Sequence, residues 1–131
     1  MKKRFLIYGL TGIIMETLWT GLNSLVYGNM SLMTHTSLWM IVIYGLMVFN
    51  EPVFKVFKPK PFYIRGIIYM LVIFSAEYLS GHILKSLNIC PWDYSDLSHN
   101  INGLVLPAYA PLWFCAGLFY ERLFFYLKKT K

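Results

Sequence analysis

Residues 62–86 read FYIRGIIYMLVIFSAEYLSGHILKS, an apolar run whose charged side chains are Arg65, Glu77 and Lys85. A helix needs about 20 mainly apolar residues to cross the hydrocarbon core of a bilayer, so this run predicts a membrane-spanning helix. Three further stretches have the same character, at residues 5–27, 37–57 and 106–127. We therefore predict an all-α polytopic membrane protein, a four-transmembrane-helix bundle that forms a single domain over residues 1–131.

The composition agrees with lipid as the solvent. Of the 131 residues, 57% are hydrophobic and only 14% are charged, against roughly 25% charged in a soluble domain. The formal net charge of +6 comes from residues at the ends of apolar runs, whereas a nucleic-acid-binding protein clusters them on a polar face. We expect membrane lipids as partners, together with a second copy or another membrane subunit, and no nucleic acid.

The basic residues predict the orientation of the spans. All but Lys85 of the twelve lie before the first span, around the second loop or at the end of the chain. Cytoplasmic loops collect Lys and Arg, so both termini should be cytoplasmic and the loop at 87–105 should face outward. The first span carries Glu16 and no cleavage pattern, so we expect it to be retained. The predicted location is a bacterial cytoplasmic membrane.

Two intramembrane glutamates lie at matching depths. Arg4 precedes Glu16 by twelve residues, and Arg65 precedes Glu77 by the same number, which is about 18 Å along a helix. Leu-Trp opens both the second and the fourth span. The pattern is that of two parallel hairpin repeats, although matches this short also arise by chance.

These glutamates are the leading candidates for function, because an acid inside a bilayer costs about 2.5–3.5 kcal/mol and needs compensation. We expect Glu16 and Glu77 to line one polar cavity beneath an aromatic rim. The alternative is a structural role, with both acids hydrogen-bonded inside the bundle. The predicted ligand-binding residues are Glu16, Thr20, Tyr44, Tyr69, Glu77, Trp92, Asp93, Tyr94 and Trp113.

The segment CPWDYS at 90–95 interrupts the apolar sequence on the predicted outer side. Pro91 should end the third span, while Trp92 and Tyr94 should anchor at the headgroup level. We expect Trp92, Asp93 and Tyr94 to form a lid, with Asp93 accepting backbone N–H groups. At the opposite end, Arg65 is expected to pair with Glu51, and Glu121 to reach water by snorkelling.

The sequence lacks the motifs of several classes of enzyme and metal site. The sequence contains neither a GxxxxGK phosphate loop nor a GxSxG nucleophile elbow, so no ATPase is indicated. The histidines and cysteines have no compact ligand spacing, and we predict no metal, no cofactor and no disulfide.

The arrangement resembles the transmembrane protein 229 family, whose bacterial relatives are labelled ABC-transporter type IV proteins. The matching pieces are METLWT at 15–20, TSLW at 36–39, Glu51, RGIIY at 65–69, EYLSG at 77–81, CPWDYS, Gly103, Tyr109 and WFCAGLFYE at 113–121. The resemblance covers nearly the whole chain and implies a small multi-span membrane protein.

Three functions remain open at this stage. The first is a binding or transport component, the second is an assembly subunit of a larger membrane complex, and the third is an intramembrane enzyme that acts on a lipid. Catalytic activity is the least expected of the three, and no catalytic residue is assigned.

Overall fold

The computed structural model describes residues 1–130. Its α-helices are α1 (Lys2–Val26), α2 (Trp39–Gly45), α3 (Glu51–Phe57), α4 (Phe62–Ser86) and α5 (Ala110–Lys129). Short 3-10 helices cover Leu46–Asn50 and Pro107–Tyr109. No strand occurs in this range beyond one isolated bridge between Ile101 and Val105, so the all-helical prediction is confirmed.

Three of the predicted spans are long and apolar enough to cross a membrane. They are Lys2–Val26, Trp39–Phe57 and Phe62–Ser86, with mean hydropathies of 1.4, 1.5 and 1.6. Helix α5 is helical where a fourth span was expected, but it carries Glu121, Arg122, Lys128 and Lys129 within 20 residues. The fourth crossing, the cytoplasmic termini and the single domain stay predictions.

A proline explains the change of helix type inside the second span. Pro52 is the second residue of α3, and it has no N–H to donate to the carbonyl of Val48 one turn earlier. The backbone before it tightens into the 3-10 segment Leu46–Asn50, a common way to absorb such an interruption. The second span is therefore helical throughout but not uniformly α-helical.

Residues Met1–Asn50 form one compact unit, in which α1 packs on α2. A Cβ on Gly9 would collide with the backbone carbonyl of Ile41, so glycine allows the two backbones to approach. Large apolar side chains recur every fourth residue on another face of α1 and are exposed: Leu6, Leu10, Ile14, Leu18 and Leu22. An apolar exposed stripe opposite small residues is what a lipid-facing helix requires.

Residues Glu51–Lys131 form the second unit, in which α4 packs on α5. Gly117 of α5 lies against the Cβ of Tyr69, and Gly66 of α4 lies against the ring of Phe114. Each helix thus offers a glycine to a large side chain of the other. The end of the loop between α4 and α5 is buried as well, at Leu104, Val105 and Leu106.

Substitution of Gly117 by alanine should loosen this helix pair. The new methyl group would occupy the position of the Tyr69 Cβ, and overpacking of this kind costs about 1–3 kcal/mol. Unfolding of the purified protein in mixed micelles measures the loss. Cys115→Ala, at an exposed position of the same helix, is the matched control and should unfold like the native protein; equal stability of the two variants would contradict the close packing.

Candidate functional site

Glu77 lies near the middle of α4 and is half-buried. The hydroxyl of Tyr94 donates to its Oε1 over 3.0 Å. The indole N–H of Trp113 approaches the same carboxylate without a direct hydrogen bond. Oε2 of Glu77 and Nε1 of Trp113 are both buried with no hydrogen-bond partner among residues 1–130. A buried acceptor and a buried donor thus remain available beside each other.

The two aromatic residues that approach this carboxylate are linked through a third ring. The rings of Tyr94 and Tyr109 stand edge to face with centroids 5.6 Å apart. The rings of Tyr109 and Trp113 do the same at 6.2 Å. We call Glu77, Tyr94, Tyr109 and Trp113 the Glu77 site. It joins α4, the loop and the start of α5 within the second unit.

The loop is held so that Tyr94 reaches Glu77. The indole N–H of Trp92 donates to the carbonyl of Leu104 over 3.0 Å, and its ring packs on Gly81 of α4. The N–H of Tyr94 donates to the carbonyl of Gly103 over 2.8 Å. Gly103 has a φ of 69°, a left-handed conformation that favours glycine. Trp92 therefore anchors the loop and does not contact the carboxylate.

Asp93 is exposed and fixes the turn. Its Oδ1 accepts the hydroxyl of Ser95 and the backbone N–H of Ser95 over 2.9 Å. These bonds lower the pKa of the Asp93 carboxyl below its ordinary value, the hydroxyl contributing most. Asp93 therefore acts within the loop, and none of its hydrogen bonds reaches the Glu77 site.

Glu16 is placed in a similar way in the first unit. Its side chain is half-buried on α1 and is hydrogen-bonded by the hydroxyls of Tyr44 and Thr36. Its Oε2 is buried with no hydrogen-bond partner in the described part of the chain. The hydroxyl of Thr20 donates instead to the backbone carbonyls of Glu16 and Thr17. Thr20 thus satisfies its own helix and leaves the carboxylate to Tyr44 and Thr36.

A third carboxylate, Glu121, is only 1% exposed and is neutralised by basic side chains. Its Oε2 lies 3.4 Å from Nε of Arg65, and its Oε1 lies 3.8 Å from Nζ of Lys58. Tyr69 donates its hydroxyl to the same carboxylate. We call Lys58, Arg65, Tyr69 and Glu121 the Glu121 network.

Aromatic residues close the Glu121 network from the side. The ring of Phe54 stands edge to face on Tyr69 at 5.0 Å, and the ring of Phe124 lies 6.0 Å from Phe54. Both phenylalanines are almost fully buried. Ion pairs in such apolar surroundings depend on further hydrogen bonds. Nη1 of Arg65 also donates to the carbonyl of Lys58 over 3.2 Å, while its buried Nε makes no hydrogen bond within residues 1–130.

The structure corrects two expectations about this end of the chain. Arg65 pairs with Glu121 and not with Glu51, because Glu121 of α5 faces it across the helix pair. Glu121 does not snorkel to water, since it is buried beneath its three partners. Tyr69, one of the predicted ligand-binding residues, donates its hydroxyl to Glu121, and its part in ligand binding stays a prediction.

Of the expected site residues, three pairs come together: Glu16 with Tyr44, and Glu77 with both Tyr94 and Trp113. The sequence interpretation named Thr36 and Tyr109 only as parts of the matching segments, without listing them among the ligand-binding residues, and it missed the Glu121 network. Thr36 and Tyr109 stand just before helices, where a polar or aromatic residue looks like ordinary interfacial sequence. One feature of the sequence could have indicated that Glu121 is buried. Arg65 and Tyr69 lie one turn apart at the start of α4, so that both can contact the same carboxylate.

Potential metal ligands do not cluster in the described part of the chain. Within residues 1–130, no three His, Cys, Asp or Glu side chains lie close enough together to hold an ion. Cys90 and Cys115 are free thiols, and the thiol of Cys90 donates to the carbonyl of Trp92.

Long apolar helices with carboxylates set between them define an α-helical integral membrane protein. The chain belongs to the family described as Putative ABC-transporter type IV, whose model matches residues 4–129. That part of the predicted resemblance is confirmed, and the relation to the transmembrane protein 229 family stays a prediction. No solved structure matches the chain.

Loss of the Glu121 carboxylate should destabilise the second unit strongly. Glu121→Ala leaves Arg65 buried without its counter-ion, and breaking a buried ion pair in this way costs about 3–5 kcal/mol. Unfolding in mixed micelles measures the effect. Arg122→Ala, at the exposed neighbouring position, should change stability by no more than about 0.5 kcal/mol. A small effect of Glu121→Ala would contradict the assigned network.

The turn around Asp93 should loosen in acid. The folded-state pKa of Asp93 lies below the unfolded value of about 3.9, so its contribution is present above that value and is lost as the pH falls through the lower folded value. Amide exchange of residues 91–103, corrected for intrinsic rates, should show protection that is complete well above this unfolded value and declines as the pH falls below it. Asp93→Asn should show no such pH dependence; an identical decline in this variant would assign the transition to another group.

Proposed function

We propose that this protein is a membrane-embedded binding or transport component in which Glu16 and Glu77 bind the ligand. The observation that carries the proposal is an unpaired oxygen. Oε2 of each glutamate is buried with no hydrogen-bond partner in residues 1–130, as is Nε1 of Trp113 beside Glu77. Buried polar atoms in native proteins normally have partners, so two such atoms on two equivalent acids favour a bound species.

The contrast with Glu121 supports this proposal. Where the chain holds a carboxylate permanently, it surrounds it with Arg65, Lys58 and Tyr69. Glu16 and Glu77 are hydrogen-bonded by hydroxyl groups, and an indole N–H lies beside Glu77. A carboxylate without a built-in cation can exchange a proton or another ligand at low cost, which a transport site requires and a structural ion pair forbids.

The family also favours a transport role, since its description refers to ABC transporters. We propose a multi-pass location in a bacterial cytoplasmic membrane, with both termini inside. The four-span arrangement and a cavity containing both glutamates are parts of the same proposal. So is a lid made by Trp92, Asp93 and Tyr94, of which Tyr94 is the residue that touches a candidate carboxylate.

The second candidate is an assembly subunit. It is favoured by the family description taken together with the lack of a GxxxxGK motif in these 131 residues. In an ABC-type system of this kind, ATP hydrolysis would come from another chain. This reading is compatible with ligand binding at the glutamates, because a subunit that binds the ligand can still depend on a partner for energy.

A thermal-shift screen of the purified protein tests the binding proposal. Small organic cations, organic anions, amino acids and sugars are added in turn to the native protein and to a Glu16→Gln, Glu77→Gln double variant. At least one class should raise the unfolding midpoint of the native protein by about 3 °C or more, because a ligand at 100 times its Kd stabilises by about 2.7 kcal/mol. The double variant should lose the shift.

Asp96→Asn is the matched control, since it removes an exposed carboxylate and should keep the shift. A shift of equal size in the double variant, or the lack of any shift with the native protein, would contradict the assignment of Glu16 and Glu77 as ligand-binding residues.

A further inference from the structure

We propose that the Glu77 site binds a lipophilic organic monocation, such as a substituted ammonium or phosphonium ion. The inference rests on the proposed function and specifies its ligand class at one of the two glutamates. It is carried by the combination of a carboxylate that lacks a cationic partner with a row of three aromatic rings, two of which approach it.

The charge of the site is unbalanced. No Lys, Arg or His side chain forms an ion pair with Glu77 among the residues that the structure describes. The nearest Lys or Arg along α4 in the direction of the loop is Lys85, eight residues or about 12 Å away. Lys85 is exposed and donates to the carbonyl of Asn102. The positive charge that an ionised Glu77 needs must therefore come from a ligand or a proton.

The neighbours of Glu77 suit the ionised form of the acid. Tyr94 donates a hydrogen bond to Oε1, and the indole N–H of Trp113 is the other nearby polar group. The indole of Trp113 can only donate, and the hydroxyl of Tyr94, which is able to donate or accept, donates here. The site is thus built around an acceptor, and Oε2 remains open to a positively charged group.

The aromatic rings select an organic cation over a metal ion. Tyr94, Tyr109 and Trp113 are arranged edge to face in sequence, so that consecutive rings form walls at nearly right angles and not a parallel stack. Ring faces attract organic cations and make the cages that recognise quaternary ammonium groups. Hard metal ions require several oxygen ligands, and Glu77 is the single acid in this cluster.

Contacts between a cation and an aromatic ring also occur elsewhere in the same chain. Nζ of Lys58 lies 4.6 Å from the centroid of the Phe125 ring, and Nζ of Lys55 lies 5.7 Å from that of Phe124. In those cases the protein supplies both the cation and the ring. At the Glu77 site it supplies the rings and the carboxylate.

Equilibrium binding of tetraphenylphosphonium to the purified protein in detergent tests the inference. We expect saturable binding that is at least tenfold weaker in Glu77→Gln and unchanged in Asp96→Asn. Tetraphenylborate has the same shape and the opposite charge, so it controls for simple partition into apolar surfaces. It should show no saturable binding.

The ring contribution is tested separately with Tyr109. Tyr109→Leu removes the ring and should weaken binding of the cation about threefold or more, whereas Tyr109→Phe keeps the ring and should bind the cation more tightly than Tyr109→Leu does. If Glu77→Gln does not remain folded in gel filtration, the comparison of the two Tyr109 variants tests the organic-cation site in its place.

Equal affinity in Glu77→Gln, equal binding of tetraphenylborate, or no saturable binding of tetraphenylphosphonium would each overturn the organic-cation site. The failure is distinguishable from failure of the proposed function. A neutral or anionic compound whose thermal shift depends on Glu77 would leave the binding role in place and reject the cation, whereas a screen without any glutamate-dependent compound would reject both.

Discussion

The ion pair between Arg65 and Glu121 is the interaction on which the second unit depends. A carboxylate that is 1% exposed in an apolar helix pair must be matched by charge and by hydrogen bonds, or the helices would separate to let water in. Arg65 and Tyr69 lie one turn apart on α4, so both can meet the single residue Glu121 on α5. The contact sets which faces of the two helices meet and places Gly117 against Tyr69.

Once the faces of α4 and α5 are set, the position of Glu77 follows. It lies twelve residues beyond Arg65 on the same helix, where the loop returns and α5 begins. The loop can reach it because Trp92 is docked on Gly81 and Gly103 accepts the N–H of Tyr94. The Glu121 network thus holds one end of the α4–α5 pair rigidly. At the other end, the Glu77 carboxylate has only some of its hydrogen-bonding groups paired, which suits the binding and release of a ligand.

The helical fold was predictable from particular runs of sequence, because about 20 apolar residues with charges at their ends have few other stable forms in a membrane. Glu16 and Glu77 were identified for the same reason, since an acid in an apolar run is conspicuous. The partners were harder to predict. Arg65 was expected beside Glu51, its near neighbour across a short turn, whereas the acid that it contacts lies 56 residues further along the chain.

The sequence by itself determined the helices, their approximate limits and the acids that need compensation, because hydrophobic length and the cost of a buried charge are local properties. Only the tertiary structure decided which donor meets which acid. Successive helical residues are separated by about 100° around the axis, so a small change in how α4 and α5 are rotated would exchange one partner for another. That geometry separates Glu121, which is held by fixed cations, from Glu77, whose Oε2 is left without a partner within residues 1–130.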